Sequence, residues 1–141
     1  MIRYTLFILT VLFISSCSNA GKSPGSKAIY ENYITQQNLQ SIENVNNFRL
    51  HDWRSLGNHY VVFSSSQNRS YLVQLSSYCS ELPYAETITV KNRGKGLKPK
   101  SSAIHVVKRG LLQPRPERCP IKSIYKVTKE QADEITQLRK S

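Results

Sequence analysis

Acidic residues, long apolar stretches and catalytic signatures are all scarce in this sequence. Nine acidic residues stand against 20 basic ones, which gives a net charge of +11. No HExxH or glycine-rich phosphate loop occurs, so the common metalloprotease and nucleotide-binding signatures are absent. Apolar residues make up 39% of the chain and charged residues 21%, which excludes a disordered composition. A length of 141 residues indicates one domain.

The amino terminus has the layout of an export signal peptide. Arg3 provides the positive start, and residues 4–14 form an apolar run broken only by Tyr4 and two threonines. A helix of this length spans about 16 Å, whereas the hydrocarbon core of a bilayer is about 30 Å thick. The run is therefore predicted to be the core of a signal peptide and not a membrane span.

The end of this run resembles the bacterial lipobox, with Ile14, two small residues Ser15 and Ser16, and then Cys17. The resemblance implies cleavage before Cys17, a diacylglyceryl thioether on its sulfur and usually a third, amide-linked chain. Two or three acyl chains anchor a protein stably, because each buried CH₂ contributes about 0.8 kcal/mol. In the sorting rule for such lipoproteins, Ser18 in place of Asp implies the outer membrane, facing the periplasm. The alternative is an ordinary secretory leader, but no A-x-A-like site precedes Cys17.

Two of the three cysteines remain once Cys17 carries lipid, namely Cys79 and Cys119. An exported protein occupies an oxidising compartment, which favours a disulfide between them. Such a disulfide closes a loop of about 40 residues, which contributes about 4 kcal/mol to the free energy of unfolding in the chain-entropy model. A metal site and a reactive thiol are the alternatives, although a CxxC motif is missing. We expect no metal and no cofactor.

The chain divides into a signal peptide (1–16), a lipidated cysteine with a flexible tether (17–28) and one β-rich domain (29–141). The residues of the tether are small and polar and are interrupted by glycine and proline. This composition predicts a flexible chain with an r.m.s. end-to-end distance of roughly 18 Å.

Short runs of β-prone and alternating residues predict about six strands in the domain. The runs at 60–63 and 71–75 flank a polar loop and predict an antiparallel hairpin. Residues 29–47 predict a short helix or turn, and residues 110–120 a proline-rich loop. Thr128 begins a capping box that predicts a short C-terminal helix. The expected fold class is α+β, mainly β, with the strands in a curved antiparallel sheet or small open barrel. The other predicted strand segments are 48–56, 88–90, 104–107 and 121–127, with Ile121, Tyr125 and Val127 on one face.

The predicted strands and the cysteines share a recognisable set of residues, namely Trp53, Tyr71, Leu72, Val73, Cys79, Leu82, Cys119, Ile121 and Ile124. This set resembles a family of small Gram-negative lipoproteins known only as a domain of unknown function. The resemblance covers roughly residues 40–128. In that family an Asp-containing segment often precedes the second cysteine, but here the segment SSAIHVVKRG has no acidic residue. The resemblance implies no established activity.

Positive charge is concentrated in the second half of the domain. Between Lys91 and Lys126 there are eleven basic residues and one acidic residue, Glu117. If two basic loops converge in space, they form a face that attracts anions. Anionic lipid, an acidic envelope polymer and an acidic protein are the possible partners, and a solvated surface is the alternative. Export argues against nucleic acid. The candidate anion-binding residues are Lys91, Arg93, Lys95, Lys98, Lys100, Lys108 and Arg109.

The preferred functional hypothesis is a membrane-anchored, non-enzymatic envelope lipoprotein that binds an anionic partner. A periplasmic enzyme or enzyme inhibitor is the second hypothesis. Catalysis would use His51, His59 or His105, and would need a pocket that joins a histidine to a carboxylate or serine. Inhibition of lysozyme is disfavoured because both proteins would be basic.

Overall fold

A computed structural model describes residues 25–66, 69–108 and 115–140. Six antiparallel strands form a curled half-barrel sheet with two helices, so the predicted fold class is confirmed. The elements are α1 (Ser26–Gln36), β1 (Asp52–Ser55), β2 (Tyr60–Ser66), β3 (Arg69–Leu75), a 3-10 turn (Leu82–Tyr84), β4 (Ala85–Lys91), β5 (Ala103–Lys108), β6 (Glu117–Val127) and α2 (Lys129–Leu138).

The sheet consists of two three-stranded meanders in the order β1-β2-β3-β6-β5-β4. The predicted hairpin is β2–β3, in which Val61 pairs with Val73 and Phe63 with Tyr71. The meanders join where β3 pairs with β6. Turns therefore cluster at two ends of the half-barrel. We call the end with the β1–β2, β3–β4 and β5–β6 connections the first end, and the end with the β2–β3 and β4–β5 connections the second end.

Both faces of the sheet are covered around β3, where residues 70–75 are all buried. On the outer face Tyr30 and Tyr33 of α1 and Ile135 of α2 pack against the sheet. The inner face closes around its own cluster, which contains Phe63 and the buried cysteines. Burial on both sides explains why three apolar residues, Tyr71, Leu72 and Val73, follow one another in β3.

A segment that is not a strand closes the open side of the half-barrel. We call residues 41–45 the strap. The Ile42 amide donates to the Ile124 carbonyl at 2.8 Å. Ile124 lies in the part of β6 that follows Pro120, the last β6 residue that pairs with β5. The far end of the strap forms an antiparallel bridge between Val45 and Leu97. The strap thus ties β6 to the β4–β5 connection.

The C-terminal helix begins as the sequence predicts. The Gln131 amide donates to Thr128 Oγ1 at 3.1 Å, and the Thr128 amide donates to Gln131 Oε1 at 2.9 Å. This reciprocal pair satisfies two amides that the first turn of a helix leaves without partners.

Three predicted boundaries differ from the structure. Helix α1 begins at Ser26, inside the segment predicted as tether, because burial of Tyr30 and Tyr33 stabilises a helix that its composition does not favour. Residues 48–51 are not in a strand, and β1 begins at Asp52. Strand β6 begins at Glu117, inside the predicted loop 110–120, and includes a proline.

The predicted common face for Ile121, Tyr125 and Val127 is wrong. Ile121 lies in the inner cluster, whereas Tyr125 and Val127 lie on the helix side. The cause is a register shift against β3, where Gln74 pairs with Ser123 and the next residue pairs with Ile121. An extra residue in one strand reverses the direction of every side chain that follows.

Candidate functional site

The connection between β4 and β5 carries the densest group of cations in the described part of the chain. We call residues 91–102 the basic loop. It contains five basic residues and no acidic residue. All five are exposed, and within the described ranges none has an ion-pair partner. These residues are Lys91, Arg93, Lys95, Lys98 and Lys100.

The middle of the basic loop is fixed to the strap. Leu97 is fully buried, and it exchanges two backbone hydrogen bonds with Val45, at 2.8 and 2.9 Å. Gly96 has φ +85°, and a Cβ built on it would lie 2.6 Å from the Val45 carbonyl oxygen. Glycine is therefore required there, both for the left-handed backbone and for the close approach of the strap.

The end of the loop is fixed to β6. The Lys98 amide donates to Ser102 Oγ at 3.0 Å, and the Ser102 amide donates back to the Lys98 carbonyl at 3.1 Å. The Lys100 amide donates to the Ile121 carbonyl at 2.8 Å. The loop backbone is thus organised before any ligand binds, which lowers the entropic cost of binding.

Three further cations lie beside the strap, and the sequence did not single them out. Lys122 lines one cleft of about 240 Å³ with Lys100, and Glu43 lies on its wall. Arg69 and Lys126 line a second cleft of about 330 Å³ across the strap. Arg69 comes from β3, Lys122 and Lys126 from β6, and Lys100 from the basic loop, so no local pattern could have grouped the cations of the two clefts.

The seven candidate cations do not all lie together. In the β4–β5 hairpin Lys91 pairs with Ala103 at the second end, and Ala85 pairs with Lys108 at the first end. Five residues of strand separate Ala103 from Lys108, or about 17 Å. The side chain of Lys108 and the whole of Arg109 lie outside the described residues. The basic site is therefore the five-cation loop at the second end.

The predicted disulfide between Cys79 and Cys119 is confirmed, with Cα atoms 5.8 Å apart. Both residues are buried in the inner cluster. A carboxylate oxygen of Glu117 also lies close enough to complete a group of three metal-ligand atoms. The disulfide occupies both sulfurs, however, and metal ligation requires thiolates.

Glu117 connects the start of β6 to the loop that carries the first cysteine. Its Oε1 accepts hydrogen bonds from the Ser80 amide and the Ser80 hydroxyl, both at 3.1 Å. Its Oε2 accepts a 2.8 Å hydrogen bond from the Glu81 amide. The one acidic residue in the basic half of the domain therefore has a structural role, adjacent to the disulfide.

The three histidines lie apart from one another. His51 lines a cleft of about 150 Å³ that also contains Asp52, Ser64 and Asp133. The His51 amide donates to the Ser64 carbonyl at 2.8 Å, but within the described ranges the imidazole of His51 has no hydrogen bond to these groups. Asp133 accepts instead from Arg54 at 2.9 Å. His59 packs its ring against Tyr78. His105 lies on β5 between its partners on β4 and β6.

Cys17 and the signal peptide lie outside the described residues, so lipidation stays a prediction. Among the helices that the structure describes, none combines the length and the apolar character needed to cross a bilayer.

Comparison with known proteins gives one result. No curated protein matches the chain, and no solved structure matches it. One family model matches all of residues 1–141, and its members are described only as a family of unknown function. The chain therefore belongs to the family of unknown function DUF6491.

Proposed function

We propose that this protein is an exported, non-enzymatic lipoprotein that binds an anionic component of the envelope through its basic loop. The basic loop is the observation that carries the proposal. Five cations project from a backbone held by the strap and by β6, with no acidic residue in the loop. An exposed cluster of one sign attracts and orients partners of the opposite sign.

The clefts beside the strap give the proposed ligand a chemical description. Lys100 and Lys122 share one cleft, and Arg69 and Lys126 share the other. Paired cations of this kind suit carboxylate, phosphate or sulfate groups spaced along a polymer or clustered on an acidic protein. Nucleic acid is not proposed, because the chain is expected to act outside the cytoplasm.

The anchor is the second part of the proposal. The lipobox-like residues Ile14 to Cys17 support cleavage before Cys17 and attachment of lipid to its sulfur. Ser18 supports an outer-membrane location facing the periplasm. The disulfide is consistent with export, since disulfides persist in oxidising compartments.

The enzyme hypothesis has weaker support. The cleft at His51 gathers a histidine, carboxylates and serines, but a catalytic arrangement also needs a base within hydrogen-bond reach of a nucleophile. Asp133, the acid across the cleft, is paired with Arg54. We therefore place binding first.

The anchor is tested by expressing the full-length chain in a Gram-negative host and measuring its intact mass. We expect a mature chain that begins at Cys17 and carries acyl mass. The Cys17→Ala variant should keep the uncleaved mass and lose the acyl chains. A wild-type chain that starts elsewhere, or has no acyl mass, would refute the anchor.

Binding through the basic loop is tested by the salt concentration that elutes the protein from an immobilised anionic polysaccharide. The Lys95→Glu, Lys98→Glu, Lys100→Glu variant should elute at lower salt than the wild type, because exposed charge pairs are screened by ions. The matched control reverses Lys27, Lys129 and Lys140, which lie on or beside the helices, and changes the net charge equally. Equal weakening in both variants would show that net charge, and not the loop, causes retention.

A further inference from the structure

Two large aromatic side chains are exposed at the first end of the half-barrel. Tyr78 is 63% exposed and Tyr84 is 71% exposed, and no other large apolar side chain in the described ranges is exposed to this extent. Both belong to residues 76–84, the connection between β3 and β4, which we call the tyrosine loop. A loop with two exposed rings at one end of a small domain suggests a surface with a partner.

The chain enters the domain beside the tyrosine loop. A Cβ built on Gly57 would lie 3.4 Å from Ser26 Oγ, so the first residue of α1 touches the β1–β2 turn. The next residue of that turn, Asn58, accepts from the Cys79 amide at 2.9 Å and donates to the Cys79 carbonyl at 3.0 Å. His59 then packs its ring 5.6 Å from the ring of Tyr78. The start of α1 and the tyrosine loop therefore lie at the same end.

The tyrosine loop is held firmly at this end. The disulfide fixes it at Cys79, and the carboxylate of Glu117 holds the two following amides. Rings on a fixed loop lose little conformational entropy when they bind a surface.

We propose that the tyrosine loop docks on the bilayer that holds the lipid anchor, with Tyr78 and Tyr84 in its interface. The inference rests on the proposed lipidation of Cys17. Nine peptide steps join Cys17 to Ser26, which allows a separation of at most about 32 Å. Covalent anchoring through so short a connection keeps the first end close to the bilayer at high effective concentration.

The chemistry of the first end suits a bilayer surface. Tyrosine is enriched where a membrane meets water, because its ring is apolar and its hydroxyl group is polar. Arg115 and Arg118 are exposed at the start of β6, at the same end, where cations are attracted to anionic headgroups. Of the acidic residues at this end, Glu117 accepts three hydrogen bonds from the tyrosine loop, Glu81 belongs to that loop, and Glu86 lies just after it.

This orientation assigns separate partners to the two ends. Strand β4 runs from Ala85 at the tyrosine loop to Lys91 at the basic loop, a distance of about 20 Å along the strand. The basic loop then points away from the anchoring bilayer. Its anionic partner is therefore a polymer or protein that approaches from the far side, and not the headgroups of the same membrane.

The inference is tested on the acylated full-length chain in vesicles of phosphatidylethanolamine and phosphatidylglycerol with brominated acyl chains, which quench nearby tryptophan. In a Trp53→Phe background, Tyr84→Trp places the probe on the tyrosine loop. The matched variant, Lys95→Trp, places it on the basic loop. We expect strong quenching at position 84 and little at position 95. Quenching only at position 95, or at neither position, would overturn the inference.

Hydrogen–deuterium exchange on the unsubstituted acylated protein gives a second reading that needs no mutation. Exchange should slow on vesicles in peptides from the tyrosine loop and stay unchanged in peptides from the basic loop. The reverse pattern, or no slowing, would count against docking. If the chain carries acyl mass but the tyrosine loop is not protected from exchange on vesicles, the docking alone is refuted. If the chain carries no acyl mass, the anchor on which the docking rests is refuted.

Discussion

Replacing Glu117 with Gln should destabilise the domain more than its half-buried position suggests. The carboxylate accepts three hydrogen bonds, at 2.8, 3.1 and 3.1 Å, from Ser80 and from the Glu81 amide. An amide group keeps one acceptor oxygen and presents an N–H donor to groups that are themselves donors. The substitution therefore removes acceptors from one residue and adds donor–donor repulsion at the same place.

The magnitude follows from the kind of bond lost. A hydrogen bond to a charged group contributes about 1.5–3 kcal/mol, and a neutral one about 1 kcal/mol. Converting three charge-assisted bonds to at most two neutral ones, partly open to water, should lower the free energy of unfolding by about 2 kcal/mol. For a domain of this size, that corresponds to a fall in Tm of about 8 °C.

Differential scanning calorimetry at neutral pH measures this effect. Glu43→Gln is the matched control, because Glu43 is exposed and the same charge is removed. Combining Glu117→Gln with Ser80→Ala should cost less than the sum of the two, since both remove the same contact. Equal Tm values for wild type and Glu117→Gln would refute the assigned role of this carboxylate.

Four further predictions test other parts of the fold. Replacing Cys79 and Cys119 together with Ala should lower the free energy of unfolding by about 4 kcal/mol in urea denaturation, since the bond closes a 40-residue separation; an unchanged midpoint would contradict this. Gly96→Ala should cost more than about 1 kcal/mol and weaken retention on the anionic polysaccharide, because its φ of +85° and the carbonyl 2.6 Å away disfavour a Cβ; wild-type stability would show that the strap yields. Tyr30→Phe should leave Tm unchanged or raise it, because the buried Tyr30 hydroxyl has no hydrogen-bond partner in the described structure. Burial, together with the hydrogen bond to Glu134, raises the pKa of Tyr33 from 10.0 to about 12. The folded state therefore holds its proton longer than the unfolded state, and stability should fall between pH 10 and pH 12; Tm measured across this range should fall less steeply for Tyr33→Phe.

Much of the β-sheet was predictable because local patterns and tertiary burial agree in it. The runs at 60–63 and 71–75 alternate or are wholly apolar, and they became β2 and β3. The Thr128 capping box formed because its hydrogen bonds involve neighbours in sequence. Where burial and local pattern disagree, prediction was less accurate: α1 is stabilised by Tyr30 and Tyr33 against the sheet, and no local periodicity marks its start.

The candidate sites show the same division. The positions of the basic residues along the sequence located the charge of the basic loop, and the number of cysteines indicated which two would pair. The register shift in β6 was not visible in the sequence, since it depends on pairing with β3. The same is true of the clefts beside the strap, whose cations come from distant segments. The sequence did not identify the tyrosine loop, because exposure is a tertiary property.

The amino-acid sequence by itself determined the family, the class of fold and the excess of positive charge, and it favoured the pairing of Cys79 with Cys119. These follow from composition, short-range periodicity and the number of cysteines, which are properties of the chain before it folds. Only the tertiary structure decided which cations lie together, and that the start of α1 adjoins the tyrosine loop while the basic loop lies at the other end. The antiparallel pairing of the strands fixes these positions, because it places each connection at one end of the sheet or the other.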